Sequence, residues 1–166
     1  MKSRGLGDVY KRQEFMFKYI RAFLIMTKAH YKQRDKGNHL YIFHPIRVSR
    51  KCKKKSAKLV ALLHDVMEDN PNYTLEKFEF LNEDELEALV LLTHDENLSY
   101  FAYIDQIKTN KIAREVKLSD LKDNSNLNRL LTVTENDIKR LVKYLSLIHI
   151  SEPTRLHKVS RMPSSA

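Results

Sequence analysis

Residues 62–69, LLHDVMED, set His64, Asp65, Glu68 and Asp69 within six positions of a stretch otherwise apolar enough to be a buried helix. Desolvating such groups is costly unless each finds a partner, and one bound cation can serve several of them at once. Residues four apart share a helix face, so His64 is expected over Glu68 and Asp65 over Asp69, with Leu62, Leu63 and Val66 opposite. The polar residues then form one stripe facing a cavity. Two other polar intrusions match it. YIFHPIRV sets His44 directly before Pro45 among Ile42, Phe43, Ile46 and Val48, and VKLSDLKDN sets Asp120 inside an apolar-striped helix, with Lys117 three before it and Asn124 four after. His44, His64, Asp65 and Asp120 together form a mixed nitrogen and oxygen set suited to a divalent ion such as Mn, Fe, Zn or Co. A six-coordinate ion held by these four keeps room for water and substrate oxygens. A second His-Asp pair, His94-Asp95, reads instead as a helix-ending turn with a capping or solvent role.

The elements that must position these side chains read as helices. Met16, Tyr19, Ile20, Phe23 and Leu24 recur at helical spacing, and the stripe runs on to Met26 and Ala29 as the core face of a first helix. DKGN (35–38) breaks it, and Pro45 opens a second helix in its first turn. Residues 54–69 read as a third helix, stopped by NPNY. Thr74 is placed to cap a short helix through about Leu81, and EDELEALVLLT follows with Leu86, Leu89, Val90 and Leu92 inward. LSYFAYIDQIKT comes next, then IAREVKLSDLKDNSNL with Ile112, Ala113, Val116, Leu118 and Leu121, and a last helix from the Thr134/Glu135 boundary. With no period-2 pattern and no repeat, the fold class is all-α, a compact bundle of five to seven helices.

The two ends stand apart. GLGDVYKRQ (5–13) and LSLIHISEPTR (145–155) resemble the two translated strands of a sequencing adapter, and SRMPSSA resembles its continuation. Residues 1–13 and 145–166 are therefore read as non-native tails around a domain at 14–144. The full chain carries +9; the first tail supplies +3 of this and the last +2, which leaves +4 for the domain. That mild excess suits an anionic small molecule better than a nucleic acid. About 130 residues make one domain. No run suits a membrane span, and the single Cys52 fits a reducing cytoplasm, read as an incidental thiol beside a solvated basic run, RKCKKK (50–55). His30 and His39 read as structural or exposed. Nothing in the sequence addresses oligomeric state.

The order His44, His64-Asp65, Asp120 resembles that of the HD-domain metal-dependent phosphohydrolases. AHYKQRDKGNHLYIFHPIRV, ALLHDVMEDN and VKLSDLKDN narrow the likeness to the RelA/SpoT-type hydrolase domain, particularly its small stand-alone members, over about residues 20–143. The resemblance implies an all-α HD fold in which His44, His64, Asp65 and Asp120 ligate Mn2+, Glu68 and Asp69 orient or deprotonate the attacking water, and Lys36 and Asn124 contact a nucleotide. The implied reaction removes the 3′-pyrophosphate of (p)ppGpp, giving GDP or GTP. The family usually carries an Arg-Lys pair where this chain has Asp35-Lys36, which implies a weaker hold on a guanine base at that contact.

The residues suit that chemistry on their own terms. Phosphate hydrolysis needs negative charge neutralised and a nucleophile drawn from water at neutral pH, and a divalent metal supplies both. Glu68 or Asp69 then takes the proton, and Lys36, Arg47 and Lys117 are candidates to hold phosphate oxygens. Hydrolysis of another nucleotide, such as loss of phosphate from NADPH, and a non-catalytic nucleotide-binding module are the alternatives.

Overall fold

The computed structural model describes residues 3–93, 97–130 and 133–151. They form seven helices of nine residues or more and one single-turn helix: α1 (Ser3–His30), α2 (Phe43–Lys51), α3 (Lys55–Leu63), the single turn α4 (Val66–Asp69), α5 (Glu83–Leu92), α6 (Tyr100–Thr109), α7 (Lys111–Asn124) and α8 (Glu135–Ser151). Among the described residues there is no strand, only an isolated antiparallel bridge between Arg34 and Leu40. The expected all-α bundle is thus the fold observed. No helix among these residues is long and apolar enough to cross a membrane.

α3 is the hub, packed against α1, α2, α5 and α7. Leu59, Val60, Ala61, Leu62 and Leu63 in a row are wholly buried, as a helix surrounded on every side requires. Full burial contributes about 1.5–3 kcal/mol for each large aliphatic side chain. Lys54, before α3, lends no side-chain cap; the Glu115 carboxylate of α7 instead accepts from the Lys53 and Lys54 amides, at 2.5 and 3.1 Å. α5 opens with a reciprocal capping box between Asn82 and Glu85, and α7 is capped by Asn110.

Several expected inward faces are rotated. On α1 the buried residues are Ala22, Met26 and His30, with Phe15, Tyr19, Ile25 and Ala29 partly covered, while Met16, Ile20, Phe23 and Leu24 face out. Apolar residues surround most of this helix, so spacing alone leaves its rotation open. Val90 of α5 is likewise exposed. Thr74 makes no side-chain cap, and the turn after it is a 3₁₀ segment, Leu75–Phe78, that stops short of Leu81. Cys52 and His30 are in the core, and Lys51 of the basic run is ion-paired, so that run is not wholly a solvated connector. His39 is exposed. His94-Asp95 lies outside the described residues. At the ends, residues 7–14 are exposed along α1, whereas α8 runs unbroken past residue 144 and buries Leu147 against the core.

Candidate metal centre

The expected third helix is interrupted where its chemistry lies. α3 ends at Leu63, His64 and Asp65 form a turn, and α4 resumes for four residues. Adjacent residues on a regular helix do not face each other. Here the turn brings His64 Nε2 within 3.0 Å of Asp65 Oδ2. The turn thus lets the adjacent pair 64 and 65 meet, and Glu68 and Asp69 follow on α4 as exposed residues. Tyr41, in the loop before α2, donates its hydroxyl to Asp65 Oδ2 at 2.5 Å.

α2 and α7 bring the rest. Pro45 in the first turn of α2 fixes the chain just after His44. His44 Nε2 lies 3.2 Å from Asp120 Oδ1 on α7 and 3.6 Å from Asp65 Oδ2, and His64 Nε2 lies 3.8 Å from Asp120 Oδ1. One ligand atom from each of His44, His64 and Asp120 falls within 4.8 Å of the others, and all three residues are buried. The rings of Tyr41, His44 and His64 follow one another at 5.3 Å between centroids.

Hydrogen-bond polarity decides what this cluster can hold. The Ala61 carbonyl, 2.8 Å from His64 Nδ1, only accepts, so that nitrogen carries the proton and Nε2 of the neutral ring presents a lone pair. Asp123 Oδ2 does the same for His44 Nδ1 at 3.0 Å. Two lone pairs thus converge with carboxylate oxygens of Asp65 and Asp120, four acceptors with no donor among them. His64 Nε2 is buried and has no hydrogen-bond partner. Only a proton or a cation relieves such an arrangement. Burial pushes both imidazoles down, but Asp65 and Asp120 hold His64 well above its ordinary pKa, and Asp120 and Asp123 raise His44. The carboxyls move oppositely: burial lifts Asp65 and Asp120, and this is outweighed chiefly by His64 for Asp65 and by Lys117 for Asp120. The donor set fits a divalent ion.

Around this centre the structure adds residues the sequence reading missed. Asp123 is almost fully buried and accepts from Arg47 Nε and Nη2 at 3.1 Å and from Lys51 Nζ at 2.7 Å besides His44. Its signal was its position, three residues after Asp120. Lys117 Nζ pairs with Asp120 Oδ2 at 3.1 Å, and Asn124 Nδ2 donates to Asp120 Oδ1 at 2.7 Å. Arg47 and Lys117, two of the candidate phosphate holders, are therefore already engaged with carboxylates. Lys36 is exposed and 3.5 Å from Asp137 of α8.

A cavity of about 260 Å³ opens beside His44, lined by Arg34, Lys36, Tyr41, Asn124, Arg140 and Tyr144 among others. The loop before α2 shapes one wall. Asp35 Oδ1 accepts from the Gly37 and His39 amides, both at 2.9 Å, and Asn38 takes a left-handed conformation at φ 62°. Asp35 thus spends an oxygen on building its own turn.

No protein-family model matches the chain, and no curated protein matches it by sequence. Among solved structures it is similar to that of a metazoan ortholog of SpoT, described as hydrolysing ppGpp and having a role in starvation responses. The TM-score is 0.67 at 22% identity, over 81% of this chain and 84% of that one. At that identity the likeness is one of architecture: the chain shares the all-helical fold of the SpoT ortholog and holds His44, His64 and Asp120 together as a cluster able to take a metal ion.

Proposed function

We propose that the protein is a RelA/SpoT-type HD-domain phosphohydrolase that uses one divalent ion, Mn2+, to remove the 3′-pyrophosphate of (p)ppGpp or a closely related phosphorylated nucleotide, in the cytoplasm. The observation that carries the reading is the convergence of acceptor atoms from His44, His64, Asp65 and Asp120, with His64 Nε2 buried and without a hydrogen-bond partner, at the edge of a cavity that Arg34, Lys36 and Arg140 help to line. The fold it shares with a ppGpp-hydrolysing protein, and the motif order, support the substrate class.

When bound by those four residues, the ion supplies Lewis acidity toward phosphate oxygens and a water of pKa near about 7 in favourable sites. The chain's own residues do the remainder. Asn124 and Lys117 hold the Asp120 carboxylate, Tyr41 holds that of Asp65, and Asp123 keeps the proton on His44 Nδ1 so that Nε2 remains a ligand. Lys36, with Arg34 beside it, binds the phosphate and Asn124 contacts the nucleotide in the cavity. Asp69 or Glu68 accepts the proton of the attacking water. The water oxygen bonds to phosphorus, the bond from that phosphorus to the ribose 3′ oxygen breaks, and the 3′ oxygen takes up a proton from solvent to become a hydroxyl as pyrophosphate departs.

The test is a panel of guanosine tetraphosphate, guanosine pentaphosphate and NADPH incubated with the purified chain and Mn2+. Turnover of a guanosine substrate that is abolished by EDTA and by His64→Ala is expected. Turnover indifferent to both would overturn the mechanism, and release of phosphate from NADPH alone would move the substrate assignment.

A further inference from the structure

Behind the acidic pair lies a buried histidine that the proposed reaction does not use. His30, at the C-terminal end of α1, is wholly buried under the Tyr41 ring, with centroids 5.1 Å apart. Its Nδ1 lies 2.6 Å from Gln33 Oε1, and Gln33 Nε2 donates to Asp69 Oδ2 at 2.9 Å. The direction of this chain is fixed by chemistry. An ionised carboxylate only accepts, so the amide must turn its NH2 to Asp69 and its oxygen to His30; that oxygen only accepts, so Nδ1 must carry the imidazole proton. His30 Nε2 is then a lone pair, buried with no partner. Leaving a buried polar atom unsatisfied costs roughly 1–3 kcal/mol, an arrangement worth keeping if the other nitrogen has a task.

Asp69 needs such help. It ends a single-turn helix and is partly exposed, and its one side-chain hydrogen bond among the described residues is the one from Gln33. Without that bond the carboxylate is free to turn among rotamers, and a proton acceptor must sit within hydrogen-bond reach of its water to be effective.

We propose that Gln33, its amide oriented by His30, is a positioning residue that clamps Asp69 Oδ2 and leaves Oδ1 to meet the attacking water. The inference rests on the role given to Asp69 above. It is tested with Gln33→Ala, Asp69→Asn and the double variant, measuring kcat and KM on guanosine tetraphosphate with Mn2+, Mn2+ affinity by calorimetry, and the His30 tautomer by imidazole 15N shifts in the metal-free protein. Gln33→Ala is expected to lower kcat about tenfold, equivalent to about 1.4 kcal/mol of barrier, with KM and Mn2+ affinity within about twofold of the parent. Added to Asp69→Asn it should change nothing further, because residues acting as a unit are not additive. Gln33→Glu, which keeps the acceptor for His30 and loses the donor to Asp69, should show the same kcat loss if the alanine variant folds poorly. His30 should be protonated on Nδ1. An equal kcat loss in both backgrounds, no loss in either, or an Nε2-protonated His30 would overturn the clamp. Parent-like turnover by Asp69→Asn would instead overturn the role of Asp69 in the reading above, and absence of any parental turnover would overturn that reading while the tautomer still decides the geometry of the clamp.

Discussion

Replacing Asp123 with alanine separates the metal centre from the fold that carries it. The carboxylate is 3% exposed and receives His44 Nδ1, both donors of the Arg47 fork and Lys51 Nζ. Breaking a fully buried ion pair costs about 3–5 kcal/mol, whereas exposed pairs contribute about 0–1 kcal/mol. Here the cations left behind are not trapped, since the Arg47 and Lys51 side chains are 32% and 40% exposed and can return to water. A stability loss of about 1–2 kcal/mol follows, lowering Tm by roughly 3–7 °C in a domain of this size. The larger consequence is for His44. Without an acceptor at Nδ1, the imidazole loses what fixes its tautomer and orientation, and loss of such a partner typically weakens a metal site about 10–100-fold. Titration calorimetry with Mn2+ on Asp123→Ala and Asp123→Asn, below the temperature at which either unfolds, should show that weakening for alanine. A smaller loss is expected for asparagine, whose carbonyl can still accept. An alanine variant that melts early but binds Mn2+ as tightly as the parent would refute the positioning role and leave Asp123 a purely structural residue.

Lys36→Ala should raise KM for guanosine tetraphosphate about fivefold with little change in kcat, because the ammonium is exposed and shared with Asp137; steady-state kinetics decide, and an unchanged KM would remove it from the phosphate contacts. Deleting residues 1–13 should leave Tm unchanged within a degree or two, since residues 7–14 are exposed, whereas Leu147→Ala should cost about 2–3 kcal/mol by creating a core cavity. Differential scanning calorimetry of both variants distinguishes a detachable segment from one the fold has recruited.

What the sequence made legible was the set of polar residues that do not belong in a core. His44, His64 and Asp120 each stood out against apolar neighbours, and the cost of burying ionisable groups without partners is the physical reason they did. The all-α class was legible for a similar reason, because helix period and the near absence of glycine leave few alternatives. Rotation about the helix axis was not. α1 carries apolar residues on most of its circumference, so Met16, Ile20 and Leu24 matched the period as well as Ala22 and Met26 did. The turn at His64-Asp65 was also hidden, since VMED continues the helical pattern and the break is marked only by the long-range bond from Tyr41 to Asp65 and the side-chain bond from His64 back to the Ala61 carbonyl. Tyr41, Gln33 and Asp123 act through partners 24 to 79 residues away, and no local spacing rule reports contacts of that range.

α7 is the element around which the electrostatics close. It supplies Asp120, Asp123, Asn124 and Lys117 from one stretch of helix, and each is bonded within the site. Asp65, Asp120 and Asp123 bring three negative charges, and Arg47, Lys51 and Lys117, each in contact with one of the α7 carboxylates, bring three positive ones. With both histidines neutral, as ligation of an ion through Nε2 requires, the charges of this inner set cancel without the ion's own. A divalent cation held there would therefore add its full charge as surplus, in a setting where burial strengthens its field. The cavity beside His44, where Lys36 and Arg34 stand, is where an anion would meet that field. A site neutralised internally by its ion would bind metal tightly and have little left for an anion; a site balanced without its ion, as proposed here, would keep that charge for a phosphate.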